Sequence, residues 1–89
     1  MNNEMIVKIK KCLDRLKQKP VKISQNGFIM NQFFVSQLIY KIQDDILNLR
    51  DEVKEVYLSL NLNQVYQVRI SENKIILFMD NDTEIDISI

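Results

Sequence analysis

Histidine is absent from these 89 residues, and cysteine, proline and glycine occur once each. Without histidine, the commonest acid–base group near neutral pH is missing. The lone Cys12 can form neither an internal disulfide nor a paired-thiolate metal site. One Pro and one Gly argue against long linkers or disorder. There is no glycine-rich phosphate loop, and no run approaches the roughly 18 apolar residues of a membrane span. Residues 5–14, MIVKIKKCLD, are broken by charge every few positions, unlike a signal peptide. These absences lead to the expectation of a non-enzymatic protein, with no cofactor, no metal and no membrane, in a reducing, cytoplasmic location.

Apolar residues supply 46% of the chain, the share of a globular protein. The length fits one domain, 1–89, whose core is marginal and gains from oligomerisation. The formal net charge is +0, but it is unevenly spread. Residues 1–22 carry seven Lys/Arg against Glu4 and Asp14. Residues 72–89 carry Lys74 against five acids.

Periodicity orders the chain. Over 3–18, Met5, Ile9, Cys12, Leu13 and Leu16 recur at spacings of three and four, the pattern of a helix that buries Cys12 as an inert thiol. Lys8, Lys11 and Arg15 flank that face on one side, Lys10 and Lys17 on the other. Lys19-Pro20 stops the helix. Residues 21–30 read as a short hairpin on a type I′ turn at Asn26-Gly27, or as a loop turning on Gly27. Asn31 then caps a long helix over 31–60, free of Pro and Gly. Its seam is Ile39, Ile42, Ile46, Leu49, Val53, Val56 and Leu60, stepping three and four in heptad fashion. Such a helix is about 42 Å long, whereas an 89-residue globule has a radius of gyration near 12 Å.

After residue 63 the period becomes two, and 64–89 read as a three-stranded antiparallel meander. With Glu72-Asn73 as a two-residue turn, Ile70 faces Ile75, Val68 faces Leu77 and Tyr66 faces Met79. Ile76 and Phe78 then lie on the opposite face, in need of cover. The next loop decides where Ile85 and Ile87 go. A two-residue Asn81-Asp82 turn sends them to the second face, and a loop of odd length returns them to the first. Asp80, Asp82, Glu84 and Asp86 lack the glycine and spacing of a calcium loop, and read as turn chemistry.

The expected fold is thus α+β: N-terminal helix, short hairpin, long helix, C-terminal three-stranded antiparallel meander. A long helix over 31–60 followed by a meander over 64–89, in an Asn-, Ile- and Lys-rich chain, resembles the Yopt family of small uncharacterised proteins from Bacillus and its prophages. The resemblance covers about two thirds of the chain and rests on element order and composition. It implies a homodimer of subunits with one helix and three strands, and a prophage origin. It carries no assigned activity and no site residues.

The functional expectation is a homo-oligomerising protein-interaction module, with self as the first partner and an unknown host protein as another. Its interface is drawn from the seam Ile39 to Leu60 or from the Ile76/Phe78 side of the sheet. The alternative is a nucleic-acid-binding regulator using Lys8, Lys11 and Arg15 on the basic first helix. It ranks second, because no aromatic residues interleave with those cations and the chain has no net positive charge.

Overall fold

The computed structural model describes residues 3–27, 30–55 and 57–89. One helix, α1 (Asn3–Leu16), precedes eight strands: β1 (Val21–Asn26), β2 (Asn31–Val35), β3 (Leu38–Gln43), β4 (Ile46–Asp51), β5 (Tyr57–Asn61), β6 (Val65–Ser71), β7 (Lys74–Met79) and β8 (Thr83–Ser88). A single 3-10 turn, Leu62–Gln64, joins β5 to β6. The strands form two antiparallel sheets, sheet A in the order β2-β1-β8-β7-β6 and sheet B in the order β3-β4-β5. One apolar cluster, drawn from α1 and the inward faces of both sheets, forms the core.

The fold is mostly β with one helix, which corrects the α+β expectation built on a long helix. Residues 31–51 are three strands and their turns, and β5 accounts for most of what remains to 60. The expected helix, about 42 Å long, would overrun a molecule measuring 31 × 28 × 25 Å. The physical cause lies in a turn that needs no glycine. Asp44 and Asp45 both take positive φ, 53° and 62°, and Gln43 pairs with Ile46 across them. Aspartate tolerates this left-handed region, so two Asp residues make the two-residue hairpin that Asn-Gly usually makes. On either side the apolar residues alternate. Leu38, Tyr40 and Ile42 face inward from β3, Leu47 and Leu49 from β4, and Leu58 and Leu60 from β5.

The heptad seam therefore dissolves, because steps of three and four along extended chain visit both faces. Leu49 and Leu60 are buried, and Ile42 packs against the core. Ile39 and Ile46 lie half-buried on the outer face of sheet B, and Val53 is exposed in the β4–β5 connection. Val56 lies outside the described residues. The element order behind the family resemblance, a long helix before the meander, is not the order of this chain.

Helix α1 ends two residues earlier than expected, with Gln18 at φ 64° in the left-handed conformation that often terminates helices. Its buried stripe is Ile9, Cys12, Leu13 and Leu16. The helix bridges the two sheets: Cys12 Sγ lies 3.9 Å from the Lys74 carbonyl of β7, while the Tyr40 hydroxyl of β3 donates to Asp14 at 2.6 Å. The hairpin after Pro20 is β1–β2, with Gln25 opposite Asn31. Neither Asn26 nor Gly27 takes positive φ, so no type I′ turn centres on them, and residues 28 and 29 lie outside the described ones. Gly27 answers a close approach instead. A Cβ there would lie 3.0 Å from the Asp82 carbonyl oxygen and 3.2 Å from Thr83 Cα.

Residues 65–88 form three antiparallel strands, with Ile70 opposite Ile75 and Val68 opposite Leu77. A bulge between Val65 and Gln67 sets Val65, not Tyr66, opposite Met79. The β7–β8 loop is the odd-length case: Asp80, Asn81 and Asp82, with Asp82 at φ 59°. Leu77 therefore faces Ile85 and Ile75 faces Ile87, all four buried in the core.

Candidate interaction surfaces

Ile76 and Phe78 lie half-buried on the outer face of sheet A, opposite the core. Their cover is a thin layer of neighbouring side chains. Tyr66, pushed outward by the bulge, sets its ring centroid 6.4 Å from that of Phe78. The Arg69 guanidinium stands 5.6 Å from the same ring, a cation–π contact. Across the strand pair, Lys74 and Asp86 form an ion pair at 3.0 Å. Much of the second side of β7 is thus met within the chain.

Lys8, Lys11 and Arg15 are exposed on α1, and the Arg15 guanidinium donates to the Ser71 carbonyl of β6 at 3.4 Å. That flank faces the sheet A side of the helix. The other flank, with Lys10 and Lys17, shares its side with Asp14 and so borders β3 through Tyr40.

Two surfaces escaped the sequence reading. The first is the free edge of sheet A. Strand β2 pairs with β1 alone, and residues 23–40 contain no charged side chain, in a chain that is 27% charged. Edge strands are usually guarded by Lys, Pro, bulges or a covering element. The opposite edge, β6, has Arg69, a bulge and the Arg15 contact. In sheet B, α1 borders β3, while β5 is uncharged but leads directly into the 3-10 turn. Exposed apolar side chains stand at β2: Met30 and Phe34 are 77% and 65% exposed, and Ile89, past the end of β8 two strands in, is 58% exposed. A shallow hollow of about 280 Å³ crosses the ends of β2, β1 and β8, lined by Phe34, Val35, Val21, Lys22 and Ile89 with Pro20 and Ser36. The uncharged run was the available signal for it.

The second is the outer face of sheet B. Cross-strand pairing sets Ile39, Arg50 and Tyr57 in one row and Lys41, Asn48 and Ser59 in the next. The Tyr57 hydroxyl reaches diagonally to Asn48 Oδ1 at 2.9 Å, and Ser59 Oγ donates to the same oxygen at 2.8 Å. A hollow of about 510 Å³ lies here, lined by Ile39, Tyr40, Lys41, Asn48, Arg50 and Tyr57.

Beneath one end of this face sits Asp51, the one buried charged residue among those described. Its carboxylate accepts backbone N–H bonds from Ser36 at 2.7 Å, Gln37 at 3.2 Å and Val53 at 2.9 Å. It thereby ties the β2–β3 turn to the β4–β5 connection. Burial pushes its carboxyl up, but the backbone donors of Ser36, Val53, Gln37 and Lys54 outweigh this and hold it below the usual carboxylate range.

Among the described residues no group of His, Cys, Asp and Glu is arranged to hold a metal ion, and no helix is long and apolar enough to cross a membrane. Comparison with protein families, with curated proteins and with solved structures finds no match.

Proposed function

We propose that this chain is a homo-oligomerising interaction module whose contact is the free edge of β2. The observation that carries the reading is the unguarded strand Asn31–Val35, uncharged and accompanied by exposed Met30 and Phe34. A second copy meets it by antiparallel strand addition, in which backbone hydrogen bonds supply the affinity and alternate side chains the fit. An uncharged edge suits an identical uncharged edge, since a two-fold axis sets residue i against j and j against i, and on a five-residue strand like charges would be brought close together. Burial of the Met30 and Phe34 side chains adds about 1.5–3 kcal/mol for each large apolar group removed from water. The single buried thiol of Cys12 fits a reducing, cytoplasmic setting.

Sedimentation equilibrium over about 10–100 μM, the range in which mass action separates a modest dimer from its subunits, is expected to report twice the chain mass of 10.6 kDa. Gln32→Lys with Phe34→Lys guards the edge at two exposed positions and is expected to return the monomer with unchanged far-UV circular dichroism. A wild-type chain that stays monomeric throughout, or a guarded variant that stays dimeric, overturns the proposal. Dissociation by Phe78→Asp, with none from the guarded edge, assigns the contact to the outer face of sheet A.

A further inference from the structure

Nine side chains project from the outer face of sheet B: Ile39, Lys41 and Gln43 from β3, Ile46, Asn48 and Arg50 from β4, Tyr57, Ser59 and Asn61 from β5. None is acidic and two are cationic. We infer that this face binds a short segment of single-stranded nucleic acid, with Tyr57 as the stacking platform and Lys41, Arg50 and the Asn48 amide as phosphate contacts. This reading is independent of the β2 edge, which belongs to the other sheet.

The Tyr57 ring carries the inference. Tyr57 is 66% exposed, yet its hydroxyl is tied to Asn48 one strand away and one row along. A tyrosine pinned at its tip lies along the sheet and leaves a ring face to solvent. Its stacking geometry is fixed before any base arrives, which lowers the ordering cost of binding. Every base has a π-face, so stacking on an exposed aromatic of a sheet is tolerant of sequence.

The donors are arranged to match. Asn48 Oδ1 is occupied by the Tyr57 and Ser59 hydroxyls, which turns its amide nitrogen away from them as a donor. Lys41 is the cross-strand partner of Asn48, and Arg50 is the cross-strand partner of Tyr57. All four line or flank the one hollow of about 510 Å³. The polarity of the site follows from its neighbours. The adjoining hollow of about 430 Å³ shares Ile39, Arg50 and Tyr57 but brings Glu52 and Glu55 with Lys54, so phosphates are disfavoured there. The opposite end of the strands is closed by the Asp44-Asp45 turn, also acidic, whereas to the side β3 leads to the helix flank of Lys10 and Lys17, joined to it through Tyr40 and Asp14. The backbone of the strand therefore runs from Arg50 past Lys41 toward α1. The cations Lys8 and Arg15, on the opposite flank, take no part.

The test is fluorescence anisotropy of a labelled single-stranded oligothymidylate at about 0.05 M salt, where phosphate contacts are least screened. Binding is expected, weakening with salt. Lys41→Glu with Arg50→Glu should weaken it at least tenfold and reduce the log–log salt slope by about 1.4, two contacts at about 0.7 each for single strands. Tyr57→Ala should weaken it by about tenfold, while Tyr57→Phe, which keeps the ring, should stay within about threefold. Reversal of Lys8, Lys11 and Arg15 should leave it unchanged. Circular dichroism confirms folding of each variant. No binding by the wild type at low salt overturns the proposal. So does binding that is lost on reversing Lys8, Lys11 and Arg15 but kept in the Lys41/Arg50 variant. So does a mononucleotide that competes as well as the oligomer, since that assigns the hollow to a small ligand.

Discussion

Asp51 stands at the junction of two turns, and its charge state decides whether both hold. Its carboxyl is held below the ordinary value of about 3.9, so the ionised form is favoured by folding. Its contribution is therefore complete above the unfolded value and disappears as pH falls through the folded one. Asp51→Asn is expected to flatten the acid limb of a stability-versus-pH curve measured by urea unfolding. Asp51→Ala, which leaves the Ser36, Gln37 and Val53 N–H groups without their acceptor, should lower the melting temperature further than Asn does. Tyr40 works at the other end of the pH scale. Burial first, then the bond to Asp14 and its negative charge, push the Tyr40 hydroxyl from 10.0 up to about 12. Folding favours the neutral phenol, so this contribution is whole below pH 10 and fades as pH rises toward 12. In a tyrosinate absorbance titration Tyr40 should ionise near pH 12, and Tyr40→Phe should remove that step. Neither role could be read from the sequence. Two donors to Asp51 come from Ser36 and Gln37, on the far side of the β3–β4 hairpin in the chain, and Asp14 meets Tyr40 only because α1 lies along β3.

At the scale of elements, one helix and the last three strands were legible because each has a single strong period. The buried stripe of α1 recurs at three and four, and β6 and β8 alternate. Strand β7 was found despite apolar residues on both sides, because Glu72-Asn73 and the acidic loop bounded it. Residues 31–60 were misread because aspartates, not glycines, make the sharp turn at 44–45, and because a heptad and an alternation can share residues. Leu38, Leu47 and Leu58, which lie off the seam, belong to the alternation with Tyr40, Leu49 and Leu60. The two readings differ in a measurable way. On a heptad seam Leu49 and Val53 are equivalent, whereas here Leu49 is 1% exposed and Val53 63%. Leu49→Ala is expected to cost about 2–5 kcal/mol in chemical denaturation, and Val53→Ala no more than about 0.5 kcal/mol. Equal costs would restore the seam. The outer face of sheet B was hidden for the same reason: Lys41, Asn48, Arg50 and Tyr57 come together only when three strands pair.

Across the whole molecule, the uneven charge of the chain acquires a place. The basic start becomes α1, bordering β3 and β6, while Asp80, Asp82 and Glu84 gather at the tip where the β7–β8 loop meets Gly27. The acidic tip adjoins the β1–β2 turn at Gly27, but β2 itself, Asn31–Val35, carries no charge, so strand addition along it needs no ion pair. Oligomer mass should accordingly change little between low and high salt, whereas oligonucleotide binding should fall steeply. Sheet A also has an order in time. Its central strand, β8, pairs with β1, so Ile23 must find Ile87 across most of the chain. Local hairpins such as β6–β7 form on the microsecond scale, but this pairing carries the loop-closure cost of everything between. Until β8 docks, β1 and β7 each offer an open edge, and the β1–β2 hairpin, with Lys22 its one charged residue, waits unsheltered. The pairing of greatest sequence separation is thus also the one whose delay leaves strand edges open to misassembly.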